Sequence, residues 1–162
     1  DFARPTEPQF EMADINHPVK EAIELAAAIL RKKGVRVVTD LADHLPLCRF
    51  DAQLIEQVLL NLITNAAESI HHEDDRGRID IQTRVDNNAI RIRVEDSGSG
   101  IPEELRERIF DPFYTTKHGS SGIGLSISQR IVEDHGGTLS VGPGEWGETA
   151  FTIRLPTTEG LT

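Results

Sequence analysis

The chain has 162 residues, of which 38% are hydrophobic and 27% charged, a composition typical of one globular domain with its own core. Its formal net charge of −10 argues against sequence-independent binding to nucleic acid and against contact with an anionic membrane surface. No segment approaches the roughly 18 consecutive apolar residues of a membrane span. The single cysteine, Cys48, excludes an internal disulfide framework and is typical of a reducing compartment, so we expect a buried thiol in a cytoplasmic domain.

The first part of the chain predicts two helices and two strands. Residues 10–15 can form a short strand, residues 17–34 form an amphipathic helix that ends at a glycine, and residues 35–41 form a second strand. Asp51 is expected to cap a second long helix that runs to about Ile70.

The second part predicts two hairpins and a third helix. Segments 78–85 and 89–96 alternate polar and apolar residues around a "DNN" turn, a third helix covers about 122–135, and segments 137–144 and 148–156 form a closing hairpin. The apolar side chains predicted to share one face of the first hairpin are Ile79, Ile81, Val85, Ile90, Ile92 and Val94. One apolar face per strand indicates a sheet covered on one side only. We therefore predict an α+β fold, an α/β sandwich with three helices over one largely antiparallel, mixed sheet.

A polar row runs along the second predicted helix beside its apolar face. The row comprises Gln57, Asn61, Asn65 and Glu68. Such a row is usually a solvated helix face. Two asparagines in mid-helix are unusual, however, because Asn is a poor helix former, and a carboxamide oxygen suits a hard cation such as Mg²⁺.

Residues 95–128, "EDSGSGIPEELRERIFDPFYTTKHGSSGIGLSIS", contain two glycine clusters with a long loop between them. Asp96 follows a predicted buried strand, where its carboxylate can either form a turn or accept a hydrogen bond from an exocyclic amine such as that of adenine. Gly98 and Gly100 would allow positive φ and a close approach to a flat ligand. The second cluster opens a helix, whose N–H groups attract anions. Neither cluster matches a P-loop or a dinucleotide-binding turn.

Four segments in this order carry a resemblance to a known family. "QVLLNLITNAAESI", "EDSGSGIP", "IFDPFYTTK" and "GSSGIGLSIS" resemble the N, G1, F and G2 boxes of the catalytic ATP-binding (HATPase_c) domain of sensor histidine kinases. The wording "FARP" and "PFYTTK" is similar to the NtrB-like subgroup. The superfamily also holds gyrase B, Hsp90 and MutL, and the resemblance implies its Bergerat ATP-binding fold.

The resemblance implies ATP or ADP and Mg²⁺ as ligands, with residues 102–121 acting as a mobile lid. It assigns the metal to Asn65 and Asn61, and catalytic roles to these two residues and Lys117. Glu68 stands where many members of the family have a lysine or a neutral residue near the phosphates, so the resemblance assigns it no phosphate contact. The nucleotide-binding residues that it implies are Asn65, Asp96, Gly98, Gly100, Ile101, Phe110, Phe113, Thr116, Lys117, Ser121, Gly122, Ile123, Gly124 and Leu125.

Asn61 favours a kinase over a hydrolase. In the hydrolysing branch of the superfamily a glutamate at this position activates water, and an amide cannot act as a general base. The resemblance implies donation of the γ-phosphoryl group to a histidine on a dimerisation and phosphoacceptor hairpin, then to an aspartate of a response regulator. None of the six histidines lies in an acceptor motif, His72-Glu73 included. A serine kinase of the same superfamily and a nucleotide-binding module without catalysis remain open alternatives.

The same resemblance divides the chain into three parts. We expect residues 1–8 to be the end of a linker from the absent hairpin, residues 9–157 to be the catalytic domain, and residues 158–162 to be a tail. The full-length protein is expected to be a homodimer, and the resemblance leaves open whether it is anchored in the inner membrane.

Overall fold

The computed structural model describes residues 7–70, 77–112, 114 and 124–157. In these ranges a five-stranded sheet has the order β2-β4-β5-β7-β6, and a separate two-stranded sheet pairs β1 with β3. The elements in chain order are β1 (Glu11–Ala13), α1 (Asn16–Lys33), β2 (Arg36–Leu41), β3 (Cys48–Phe50), α2 (Ala52–Glu68), β4 (Arg78–Asp86), β5 (Ala89–Asp96), two 3₁₀ turns (Glu103–Leu105 and Arg108–Phe110), α3 (Gly124–Asp134), β6 (Thr138–Gly142) and β7 (Thr149–Pro156).

The large sheet is mixed but mostly antiparallel, as predicted. β2 runs parallel to β4, whereas the β4–β5, β5–β7 and β6–β7 pairs are antiparallel. The hairpin between β4 and β5 turns at Asn87 and Asn88, whose φ angles of 53° and 62° are both left-handed. Asparagine tolerates this conformation better than other non-glycine residues, and two such residues in succession match the right-handed twist of a hairpin.

The core lies between the large sheet and the three helices. α2 is the central helix, since it packs against α1, α3 and β5. The largest fully buried side chains of this core are Phe50, Ile15, Ile55, Leu59, Leu62, Ile63, Ile79, Ile81, Ile90, Ile92, Ile153 and Leu155. The predicted three-helix layer over one sheet is therefore confirmed within the described residues.

Val85 does not join the core, and its prediction as a core residue was wrong. Its side chain is 53% exposed, because it lies at the end of β4 beside the hairpin turn. The last buried position of β4 on that face is Thr83, which is 0% exposed. Its hydroxyl lies 2.9 Å from Asn16 Oδ1 and 2.9 Å from the backbone nitrogen of Ala42, so hydrogen bonds compensate for the burial of this polar group.

The predicted C-terminal end of α1 and the predicted N-terminal cap of α2 are confirmed. Gly34 adopts a left-handed φ of 70° after α1, and its N–H donates to the carbonyl of Arg31. Asp51 caps α2, since its Oδ1 accepts a hydrogen bond from the N–H of Leu54 at 3.1 Å. α3 is described from Gly124 onward, so the predicted helix start at 122–123 lies outside the described residues. Among the described helices, none combines the length and apolar character needed to cross a bilayer.

The small sheet was only half predicted. β1 was expected, but its partner β3 was not, because three residues are too few to show a period in the sequence. In the sheet, Glu11 pairs with Phe50 and Ala13 with Cys48. Cys48 is buried, as expected, and burial raises the pKa of its thiol to about 11.

Candidate nucleotide-binding site

Asp96 is the last residue of β5 and is only 2% exposed. Among the described residues, the N–H of Gly98 donates to Oδ1 of Asp96 at 2.8 Å and the hydroxyl of Ser69 donates to the same oxygen at 3.1 Å. The first bond is the turn-forming interaction that the sequence left open for Asp96. A turn and a role in base recognition are therefore compatible, because the turn itself holds the carboxylate in place at the end of the strand.

The two glycines after Asp96 are required for different reasons. Gly100 has the left-handed φ of 82° that was expected. Gly98 does not have a positive φ, so that expectation was wrong for this residue. Instead, a Cβ at Gly98 would overlap the hydroxyl of Ser69 and would lie 2.7 Å from its carbonyl oxygen. The missing side chain makes room for the end of α2.

The loop between β6 and β7 supports the same turn from the other side. The N–H of Glu148 donates to the carbonyl of Asp96 at 3.0 Å. Glu95, 2% exposed, holds this loop: its Oε2 accepts N–H bonds from Trp146 at 2.7 Å and from Gly147 at 2.6 Å, and its Oε1 lies 3.1 Å from the guanidinium of Arg93. Burial acts to raise the pKa of Glu95, but these donors outweigh it and the pKa is lowered.

Within the polar row of α2, Asn61 contacts the beginning of α3. Asn61 and Asn65 are both partly buried and lie one turn apart, whereas Glu68 is exposed. The Asn61 Nδ2 donates to the hydroxyl of Ser128 on α3 at 3.1 Å. A Cβ at Gly124 would lie 2.9 Å from Asn61 Oδ1, so the first residue of α3 approaches this amide closely.

The donor set on α2 fits a hard cation with few protein ligands. Within the described residues no group of three or more His, Cys, Asp and Glu side chains could hold a metal ion. Mg²⁺ usually keeps several waters and takes only one or two protein oxygens along with substrate phosphates. The amide oxygens of Asn61 and Asn65 are suitable ligands of that kind.

Phe110, in the predicted lid, rests on the core, as do Ile101 and Leu125, which lie on either side of the lid. All three side chains are partly buried against the buried cluster. The ring of Phe110 meets Phe151 edge-on, with centroids 6.4 Å apart and an interplanar angle of 88°. Core packing and a role as lid anchor are both compatible with this contact. The predicted site residues that lie outside the described ranges are Phe113, Thr116, Lys117, Ser121, Gly122 and Ile123.

Three residues that contact this site were not singled out by the sequence patterns. They are Ser69, Glu95 and Ser128. Each contacts a segment distant in the chain, for example Glu95 and Trp146 at a separation of 51 residues. Local periodicity carries no signal for such pairs.

Residues 50–159 match the model of the family described as histidine kinase-, DNA gyrase B-, and HSP90-like ATPase. The C4-dicarboxylate transport sensor protein DctS of Rhodobacter capsulatus is 37% identical over 158 residues, which cover 96% of this chain and 24% of DctS. The sensory histidine kinase/phosphatase NtrB of Vibrio alginolyticus is 32% identical over 163 residues, covering 94% of this chain and 46% of NtrB. The chain thus spans about a quarter of the first relative and just under half of the second.

Solved structures show the same fold. The catalytic domain of histidine kinase ThkA, in a nucleotide-free form, superposes with a TM-score of 0.82 at 34% identity, covering 92% of this chain and 96% of that domain. ThkA in complex with the response regulator TrrA gives a TM-score of 0.76 at 31% identity, covering 92% of this chain and 42% of that one. Full-length ShkA in complex with AMPPNP gives a TM-score of 0.81 at 28% identity, covering 95% of this chain and 32% of that one. This chain therefore belongs to the family of histidine kinase-, DNA gyrase B- and HSP90-like ATPases, within which it is a catalytic ATP-binding domain of the two-component histidine kinase type.

Proposed function

We propose that this chain binds Mg²⁺–ATP and, within a longer protein, donates the γ-phosphoryl group to a histidine on a dimerisation and phosphoacceptor hairpin. In that step the bond between the γ-phosphorus and the β–γ bridging oxygen breaks, a phosphorus–nitrogen bond to the imidazole forms, and ADP leaves. The phosphoryl group would then pass to an aspartate of a response regulator. The observation that carries the proposal is the burial of Asp96 and its contact with Ser69 at the end of α2. Asn65 lies on the same helix, one turn before Ser69.

Asp96 is proposed to read the base. A carboxylate fixed at the end of a strand can accept a hydrogen bond from the exocyclic amine of adenine, and it would repel the oxygen found at the same position of hypoxanthine. Gly100 and Ile101, which follow it in the turn, are proposed to lie beside the base.

The phosphates are proposed to lie between α2 and the beginning of α3. Asn65, with Asn61 as second ligand, would hold Mg²⁺ by its amide oxygen, and the bound ion would neutralise charge on the phosphates. Lys117 would add positive charge, and Phe110 would anchor the lid. The further residues proposed to contact the nucleotide are Gly98, Phe113, Thr116, Ser121, Gly122, Ile123, Gly124 and Leu125.

Transfer to a protein group is favoured over hydrolysis by Asn61. Its amide cannot deprotonate water, and its Nδ2 is already bonded to Ser128 on the neighbouring helix. A serine kinase and a module without catalysis are less well supported, since the relatives and neighbours described above are named sensor proteins or histidine kinases.

The arrangement of the rest of the protein is proposed from the family resemblance. Residues 1–8 would end the linker from the hairpin, and residues 158–162 would form a tail behind the domain at 9–157. We propose that the full-length protein is a homodimer, that this domain lies on the cytoplasmic side, and that its partners are its own hairpin and a response regulator.

The proposal is tested with labelled ATP and a separately produced hairpin carrying the acceptor histidine. The fragment by itself should take up little label and hydrolyse ATP slowly. With the hairpin, the label should appear on the hairpin and be acid-labile and alkali-stable. Transfer should be weak, because the tether that normally raises the effective concentration is missing.

Asp96→Asn is the informative variant and Asp43→Asn its control, since Asp43 is exposed on the loop after the edge strand β2. Asp96→Asn should weaken ADP binding by about tenfold or more, the loss expected when a buried acceptor becomes mismatched, and Asp43→Asn should not. An acid-stable label would indicate a serine kinase, and tight ADP binding without any transfer would indicate a module without catalysis. Efficient labelling of the fragment without the hairpin would contradict the proposal and make His72 the candidate acceptor.

A further inference from the structure

Ser69 joins the two halves of the candidate site. It is the C-cap residue of α2, and its N–H donates to the carbonyls of Asn65 and Ala66 at 3.1 and 3.2 Å. Its own carbonyl accepts the N–H of Ser99 at 3.3 Å. Its backbone therefore belongs to the helix of the proposed metal ligands and also to the turn that follows the proposed base reader.

The Ser69 hydroxyl has two acceptors within reach. It lies 2.8 Å from the carbonyl of Ala66 and 3.1 Å from Oδ1 of Asp96. A hydroxyl has a single proton to donate. We assign this proton to the bond with Asp96, because a carboxylate is a stronger acceptor than a neutral carbonyl. The same Oδ1 also accepts the N–H of Gly98, so two donors from different elements meet one oxygen and fix the orientation of the carboxylate plane.

The turn is built around this hydroxyl. Gly98 passes so close to Ser69 that any side chain at position 98 would overlap it. The approach brings the amide of residue 98 and the hydroxyl of Ser69 onto the same carboxylate oxygen. Packing and hydrogen bonding therefore select the same arrangement of the end of β5 and the end of α2.

We propose that Ser69 is a positioning residue for base selection. By donating to Asp96 it orients the carboxylate toward an exocyclic amine, and it ties the base reader to the helix that carries Asn65. The proposal rests on the proposed function, since it assumes that Asp96 reads an amino-purine. It adds a residue that does not itself touch the nucleotide but determines how well adenine is distinguished from hypoxanthine.

The test compares binding of ADP and of inosine diphosphate by calorimetric titration of the fragment. Ser69→Ala removes the donor. Thr64→Val is the matched control, because the Thr64 hydroxyl makes a similar bond three residues back along the same helix, to the carbonyl of Asn61 at 3.1 Å. Ser69→Cys serves where the alanine variant does not fold, since a thiol has a similar shape but is a weak donor.

We expect Ser69→Ala to weaken ADP binding by about tenfold, the size of effect expected for one hydrogen bond to a charged group. Binding of inosine diphosphate should change by less than about twofold, because the oxygen of hypoxanthine gains nothing from an oriented carboxylate. The preference for ADP should therefore fall, and Thr64→Val should retain it. Ser69→Cys should give an intermediate preference.

A double-mutant cycle separates positioning from general destabilisation. If Ser69 acts through Asp96, Ser69→Ala should change the preference little in an Asp96→Asn background. Equal weakening of both nucleotides with a lowered melting temperature would mean that Ser69 is only structural and would overturn the proposal. An unchanged preference in a folded Ser69→Ala variant would overturn it too. Failure of the unsubstituted fragment to bind ADP would instead refute the proposed function itself.

Discussion

Glu95→Gln tests how firmly the loop between β6 and β7 is held against the turn that follows β5. Glu95 accepts two short backbone N–H bonds, from Trp146 and Gly147, and pairs with Arg93. A hydrogen bond to a charged group contributes about 1.5–3 kcal/mol and one to a neutral group about 0.5–1.5 kcal/mol. Glutamine retains an oxygen acceptor, so the two backbone bonds should lose about 2–3 kcal/mol together. With the weakened ion pair, we expect a loss of about 3 kcal/mol in the free energy of unfolding.

Urea unfolding and thermal melting measure this loss. For a domain of this size, about 3 kcal/mol corresponds to a melting temperature lower by about 6–12 °C. Trp146 is the only tryptophan and lies in the loop, so its fluorescence reports loop opening, whereas far-UV circular dichroism reports global unfolding. Glu133→Gln is the control, because Glu133 is exposed on α3. If Glu95→Gln were as stable as Glu133→Gln, the carboxylate would not be holding the loop.

The same pair of proteins gives a pH dependence with a definite sign. Because the folded-state pKa of Glu95 is lowered from its ordinary value of 4.5, its contribution to stability is fully present above that value. It is lost as the pH falls through the lower folded-state pKa. The stability advantage of the unsubstituted protein over Glu95→Gln should therefore be constant near neutral pH and shrink as the pH falls below about 4.5. A difference that grew on acidification would contradict the assigned direction.

Three further outcomes are expected. Gly98→Ala should have a free energy of unfolding about 1–3 kcal/mol lower than that of Gly142→Ala, measured by urea unfolding. A Cβ at Gly98 overlaps Ser69, whereas nothing lies within 4 Å of one at Gly142. Equal stabilities would contradict the close approach. Asn65→Ala should weaken Mg²⁺-dependent ADP binding and abolish transfer to an added hairpin, and exposed Glu68→Ala should do less; normal transfer by Asn65→Ala would refute the metal assignment. Amide hydrogen exchange in the proposed lid, about residues 102–121, should slow on nucleotide binding; strong protection in both states would contradict a moving lid.

Elements with local signals were predictable from the sequence. The caps Asp51 and Gly34 mark helix ends by residue type, and the Asn87–Asn88 turn marks the hairpin. Alternation predicted β4 and β5, and the ordered boxes predicted the family. Each of these signals lies within a short segment, where backbone preference and side-chain chemistry act together.

Contacts between distant segments were not predictable in this way. In the alternating pattern of β5, Glu95 falls on the polar face of the sheet and would be expected to be exposed. It is buried because the loop between β6 and β7 folds over it and donates two N–H groups. Likewise, Gly98 was expected to provide a positive φ, whereas its role depends on Ser69, on another element. In both cases the deciding partner lies elsewhere in the chain.

These distant contacts share one support. The end of α2 reaches the turn after β5 through Ser69, and the middle of α2 reaches α3 through Asn61 and Ser128. The proposed base reader and the beginning of α3, where the proposed phosphate site lies, are thus attached to the same rigid helix, two turns apart. A shift of α2 along its axis would change both contacts together. In the proposed site, base recognition and phosphate binding therefore depend on the same helix, because both contacts are made by α2.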